Sequence, residues 1–132
     1  MSKRLLVVDD HEDTLLLMRD LLEGEGYRVS TAATAADAVE ALRSDRPDLL
    51  LLDVMLPDDS GLNLARTLSR DSELGRVPIV LVTALTTTAQ LEREAREIPA
   101  IRRILYKPCR PRTILEVIDD VLRGAALPRR QR

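Results

Sequence analysis

Five short apolar runs, each followed by a segment with helical periodicity, organise this chain. The runs are Arg4–Val8, Tyr27–Thr31, Leu49–Leu52, Ile79–Val82 and Ile101–Tyr106. An apolar run that short, closed by turn chemistry, reads as a strand; one without polar alternation reads as a strand buried on both faces. Strand and helix alternate five times, with no repeat, low-complexity segment or interdomain linker. Such alternation implies a parallel sheet with helices on both faces, because every parallel return needs a crossover. The fold class expected is α/β, doubly wound. Residues 1–124 are expected to form one domain, and 125–132 a short basic tail without fixed structure.

The intervening helices are placed by their apolar stripes. The first spans Glu12 to Glu25, with Thr14, Leu17, Met18, Leu21 and Leu22 facing the core. Leu15 and Leu16 fall off that stripe and are expected to point outward. The second spans Thr34 to Ser44, with Thr34 as N-cap and Ala35, Ala38, Val39 and Leu42 inward. The third runs from Leu62 to Arg70, and a polar fourth from Thr87 to Glu97. The last runs from Pro111 to Arg123, with Ile114, Leu115, Ile118, Val121 and Leu122 buried.

Composition narrows the function. Aromatic residues are 2% of the chain, so the stacking platforms of single-strand nucleic-acid binders are absent. A net charge of −2 gives no global field to hold a polyphosphate backbone, so direct nucleic-acid binding is not expected. No apolar run reaches membrane-spanning length. The start, Met-Ser-Lys-Arg, enters a strand without the apolar region of a signal peptide, so the cytoplasm is the expected location. One cysteine, Cys109, excludes an internal disulfide. It reads as a small buried apolar residue, not a redox centre.

The polar residues at the strand ends carry the chemistry. Asp9 and Asp10 end the first strand, Asp53 the third, Thr83 the fourth and Lys107 the fifth. All fall on one edge of the sheet, where open α/β sheets bind ligands. Carboxylates gathered in a small space repel one another, and a divalent cation relieves that repulsion. Oxygen-only ligands with room for water point to Mg2+ over zinc. A lysine and a hydroxyl facing the same ion suit a phosphoryl group. No glycine-rich phosphate loop is present, so a nucleotide is not the obvious donor. A carboxylate can itself attack phosphorus and become an acyl phosphate.

With these motifs in place, the chain resembles the receiver domain of two-component response regulators over nearly its whole length. The resemblance rests on V-V-D-D-H-E-D, L-L-L-L-D-V-M-L-P-D-D-S-G, V-T-A and Y-K-P-C, in that order, each at a strand end. It implies a flavodoxin-like sheet of order 2-1-3-4-5 with five helices. It implies Asp53 as phosphoacceptor, with Mg2+ held by Asp9, Asp10, Asp53 and the Met55 backbone carbonyl, Asp10 most directly. It implies that Thr83 and Lys107 contact the phosphoryl oxygens, and that a cis bond joins Lys107 and Pro108. The phosphoryl donor would be a histidine kinase or histidine phosphotransfer protein, docked on the first helix through Leu15 and Leu16. Such a module catalyses its own phosphorylation and dephosphorylation and is not a turnover enzyme. The chain ends soon after its fifth helix, so a stand-alone regulator signalling through protein contacts, with a homodimer among its options, is expected.

The sequence departs from the family pattern in places. The switch aromatic three positions before the lysine is replaced by Ile104, and Tyr106 shares its parity on the strand. Cys109 stands where a phenylalanine is common. Arg102, Arg103, Arg110 and Arg112 form a basic patch on the last strand and helix, read as a contact for an acidic downstream partner. Met55 and Leu85 flank the phosphoryl position with apolar side chains that cannot orient an attacking water, so a long-lived acyl phosphate is expected. His11 reads as a surface residue at a helix start, because one histidine has no partner ligand. Asp58 and Asp59 read as plain turn residues. Two rival functions remain. A haloacid-dehalogenase-type phosphatase wants an aspartate two positions after its nucleophile, where this chain has Met55. A receiver-like binding module regulated without phosphorylation is kept open by Ile104.

Overall fold

A computed structural model describes residues 2–85 and 88–124. Strands β1 (Arg4–Val8), β2 (Arg28–Ala32), β3 (Leu49–Asp53), β4 (Ile79–Thr83) and β5 (Ile101–Tyr106) alternate with helices α1 (Glu12–Glu23), α2 (Ala35–Ser44), α3 (Gly61–Ser69), α4 (Ala89–Ala95) and α5 (Pro111–Leu122). A 3-10 turn, Leu74–Arg76, precedes β4. The strands form one parallel sheet of order β2-β1-β3-β4-β5. The expected tail and Thr87 lie outside the described residues.

The core has two layers, one on each face of the sheet, and β3 contributes to both. Leu50 and Leu52 pack with α2, α3 and α4, while Leu49 and Leu51 pack with α1 and α5. All four are at most 2% exposed. Burying each contributes about 2 kcal/mol against leaving it in water. That sum holds the strand in place although it ends in a buried carboxylate.

The phase of α1 differs from the sequence reading. Leu15, Met18 and Leu22 turn toward the sheet, at three-and-four spacing, and Leu15 is half-buried against the second layer. Leu17, expected inside, is 70% exposed, and Leu16 is 59% exposed. Leu15 therefore does not point outward as expected; the outward pair is Leu16 and Leu17. Four consecutive apolar residues, Leu15 to Met18, leave the helical phase undetermined in sequence, and packing against β1 and β2 fixes it. In α5 the buried set is Val117, Ile118 and Val121, with Ile114, Leu115 and Leu122 partly covered.

A bulge in β5 was not legible in the sequence. Ile79 pairs with Ile101 and Val80 with Arg103, so Arg102 is an extra residue. The bulge reverses the side-chain alternation. Ile101 packs into the first layer and Leu105 into the second, although their parity is the same. The basic patch is altered accordingly. Arg102 Nε is buried without a hydrogen-bond partner, and Arg103 reaches Asp120 of α5 at 3.9 Å. Arg110 and Arg112 remain exposed at the start of α5.

The loop after β3 is tied down at three points. Ser60 caps α3 by accepting the N–H groups of Leu62 and Asn63 at 3.1 and 3.3 Å. Asp58 accepts the N–H groups of Ala35 and Ala36 at 2.8 and 3.0 Å, fastening the loop to the start of α2. Asp58 is thus a cross-brace, not the plain turn residue expected. Gly61 N–H donates to the Val54 carbonyl at 2.7 Å, an approach so close that a Cβ on Gly61 would overlap the Asp53 carbonyl oxygen. Gly61→Ala is expected to destabilise the domain by about 1–3 kcal/mol, as overpacking does; an unchanged urea midpoint would show that the backbone there yields freely.

Candidate functional site

Register brings the polar residues together. Val8 pairs with Leu52, so Asp9 and Asp53 leave the sheet side by side. Asp53 pairs with Val82, and Val82 with Leu105. Lys107, two residues beyond Leu105, keeps the same face by the period-two rule and extends toward both carboxylates. Its Nζ donates to Asp9 Oδ2 at 2.9 Å and to Asp53 Oδ2 at 3.1 Å. Asp53 Oδ1 accepts the Met55 N–H at 3.0 Å. Asp9 and Asp53 are about 95% buried. The Lys107-Pro108 peptide is cis, as the resemblance implies.

Thr83 belongs to this edge by a different route. Its side chain is wholly buried, and Oγ1 accepts the Leu85 N–H at 3.0 Å. Its carbonyl accepts the Lys107 N–H at 2.8 Å, so main chain, not side chain, couples Thr83 to the lysine. Asp10 is exposed beside the pair. His11, set aside in the sequence reading, lies with them: its Nδ1 is 3.0 Å from Asp9 Oδ1 and 3.1 Å from Asp10 Oδ1. The one sequence signal for it was its place in Asp-Asp-His.

The charges are unequal. Burial alone would lower the Lys107 pKa, but the two carboxylates outweigh it and hold the ammonium above its ordinary value. Burial also pushes Asp9 up, yet the His11 N–H, Lys107 and the His11 ring together bring it below the usual range. Asp53 is held by fewer donors, the Met55 N–H and Lys107; burial wins there, and its pKa is raised. Two carboxylates share one ammonium, and Asp9 has the His11 donors besides. Asp53 is the carboxylate left short of compensating charge.

The three carboxylates of the donor set fit a hard divalent cation. Asp9, Asp10, His11 and Asp53 each offer an atom, all within 4.8 Å of one another. Asp10, His11, Asp53, Met55, Ala84 and Lys107 line a cleft of about 290 Å³ over the site. Met55, in its wall, is 57% exposed, and Leu85, next in the chain after Ala84 of the wall, is 37% exposed. On the other side, a cavity of about 830 Å³ between α1 and α5 reaches Asp9, Asp53 and Lys107, with Leu17, Leu21 and Ile114 along it.

Cys109 is half-buried, with its Sγ donating to the Tyr106 carbonyl at 3.0 Å, and burial pushes its thiol pKa up. Ile104 packs against the first core layer, and Tyr106, on the same face, is 41% exposed with its hydroxyl on Glu92 of α4.

A doubly wound parallel sheet with acidic residues and a lysine converging at its carboxyl edge defines a phosphoacceptor class of site. Residues 5–119 match the response regulator receiver domain model, and the chain belongs to that family. It is a receiver domain of two-component signalling, a phosphoacceptor module. It is 38% identical to the polar-differentiation response regulator DivK of Brucella anthropi over 93 residues, 70% of this chain and 76% of that protein. The CheY-like receiver of Methanospirillum hungatei superposes with a TM-score of 0.86 at 29% identity, covering 95% of this chain and 97% of that one. Chemotaxis protein CheY4 of Vibrio cholerae superposes at 0.84 with 26% identity, covering 92% and 99%. Among the described residues no helix is long and apolar enough to cross a membrane.

The charge imbalance has a measurable consequence. A raised native pKa means that ionising Asp53 costs stability as pH rises from its unfolded value through its folded value. Asp53→Asn removes that cost. Without divalent cations, the variant is expected to be more stable than the parent at pH 7, read as a higher urea midpoint. The gain should vanish as pH falls toward 3.8, the ordinary value for the group. A less stable variant at neutral pH would mean that Lys107 overcompensates the charge.

Proposed function

We propose that Asp53 is the phosphoacceptor of this receiver, working over residues 1–124 in the cytoplasm on phosphoryl groups from a histidine kinase or histidine phosphotransfer protein. The observation that carries this reading is the Lys107 ammonium bonded to both Asp9 and Asp53, within a cleft walled by carboxylates. One Asp53 oxygen attacks the phosphorus of a phosphohistidine in line. A P–O bond forms, the P–N bond breaks, and the imidazole leaves with the electron pair and then takes a proton. Lys107 follows the charge from the carboxylate to the phosphoryl oxygens, and the Thr83 hydroxyl, now on Leu85 N–H, is the further donor nearby. Asp9, Asp10, Asp53 and the Met55 carbonyl would hold Mg2+, which supplies positive charge for the equatorial oxygens. Phosphorylation of Asp53 removes one of the two carboxylates competing for Lys107. The module is substrate and catalyst of its own modification, not a turnover enzyme.

Incubation with acetyl phosphate and Mg2+ is expected to add one phosphoryl group, stable in acid and labile in base, by intact mass. An adduct that persists in Asp53→Ala, or none in the parent, rejects this assignment.

The donor docks on α1 through Leu16 and Leu17, the exposed pair beside the groove that reaches the site. Apolar anchors on one helix suit another amphipathic helix. A downstream acidic partner is assigned to Arg110 and Arg112, joined at the edge by Arg102 and Arg103. Leu16→Ala and Leu17→Ala are expected to slow phosphotransfer from the protein donor, leave the reaction with acetyl phosphate unchanged, and keep the melting temperature. Leu15→Ala, which removes a packed side chain, should lower it instead. Equal rates in all three variants would remove α1 from the docking surface.

A further inference from the structure

We infer that His11 is a nitrogen donor to the divalent cation of this site, and that it biases the site toward borderline ions such as Zn2+ and Co2+ relative to Mg2+. The inference rests on the metal-dependent reading of the preceding section.

His11 is the chain's one histidine. It occupies the N-cap position of α1, yet its side chain makes no cap hydrogen bond. Helix termination therefore does not explain its placement. Its backbone N–H donates to Asp9 Oδ1 at 2.9 Å, which fixes the residue against the buried carboxylate. The ring then places Nδ1 3.0 Å from Asp9 Oδ1 and 3.1 Å from Asp10 Oδ1. Adjacent ligands of an octahedral ion bound at about 2.1 Å are separated by about 3.0 Å. The spacing is thus that of neighbouring ligands as well as that of a hydrogen bond. His11 also lines the cleft with Asp10 and Asp53, and one of its ring nitrogens lies within 4.8 Å of a carboxylate oxygen of each of Asp9, Asp10 and Asp53. Ligation needs the neutral ring with its proton on Nε2, and an exposed ring satisfies Nε2 with water.

Ligand chemistry sets the consequence. Mg2+ prefers oxygen and retains water, so it gains little from an imidazole. Zn2+ and Co2+ bind imidazole well and rank higher for a mixed nitrogen and oxygen set.

The test combines calorimetry with imidazole ¹⁵N NMR on the full chain. Mg2+, Co2+ and Zn2+ are titrated into the parent, His11→Ala and Asp10→Asn. His11→Ala is expected to weaken Zn2+ and Co2+ about tenfold or more while changing Mg2+ by less than about threefold. Zn2+ is expected to shift the Nδ1 resonance of the parent, which has a single histidine to assign. Equal losses for all three ions in His11→Ala, or a stationary Nδ1 resonance at saturating Zn2+, would overturn the inference. Asp10→Asn separates this from the reading beneath it. A loss for every ion supports the carboxylate site whatever His11 does; unchanged Mg2+ binding would remove that site, and the role of His11 with it.

Discussion

One ammonium between two buried carboxylates sets the terms for this molecule. Lys107 bonds to Asp9 and Asp53 across chain separations of 98 and 54 residues. Lys107 offsets the burial of both carboxylates, and an unpaired buried charge costs several kcal/mol. Three strands must therefore end at compatible depths on one face. The registers of β1 with β3 and of β4 with β5 are the means, and the leucines of β3 hold them. The electrostatic site is a consequence of apolar packing two residues away.

The pairing is incomplete, and that is what makes it useful. One positive charge serves two negative ones, with Asp10 at the rim adding a third carboxylate. A fully neutralised site would leave little for a cation to do. A site with too little positive charge stays poised for one, and Asp53 is its less compensated carboxylate. The raised Asp53 pKa and the lowered Asp9 pKa express the same asymmetry.

Most of this was legible in the sequence because strand ends are marked chemically. An apolar run closing on Asp53, on Asp9-Asp10 or on Lys107-Pro108 declares both the element and the edge on which it ends. What was not legible concerned phase and long-range contact. The four apolar residues from Leu15 to Met18 satisfy several helical phases, so Leu15 was assigned to solvent and Leu17 to the core, the reverse of the outcome. The bulge at Arg102 leaves no turn residue to announce it. Asp58 looked like loop chemistry because its partners, Ala35 and Ala36, are 23 and 22 residues away. His11 is the exposed helix-start residue expected, but its ring contacts with Asp9 and Asp10 depend on a side-chain orientation that residue order does not declare.

The same edge constrains how a change at Asp53 reaches the surface. A ring that swings between two positions needs an aromatic residue with solvent on one side. Ile104 is a branched aliphatic packed against the core and offers no such motion. Tyr106 is anchored differently. Its hydroxyl bonds Glu92 of α4, which also accepts from Thr88, while its backbone adjoins Lys107. Lys107 N–H holds the Thr83 carbonyl, and Thr83 Oγ1 holds the Leu85 N–H at the start of the β4–α4 connection. The contacts that join the carboxylates to α4 thus pass through the lysine's own main chain.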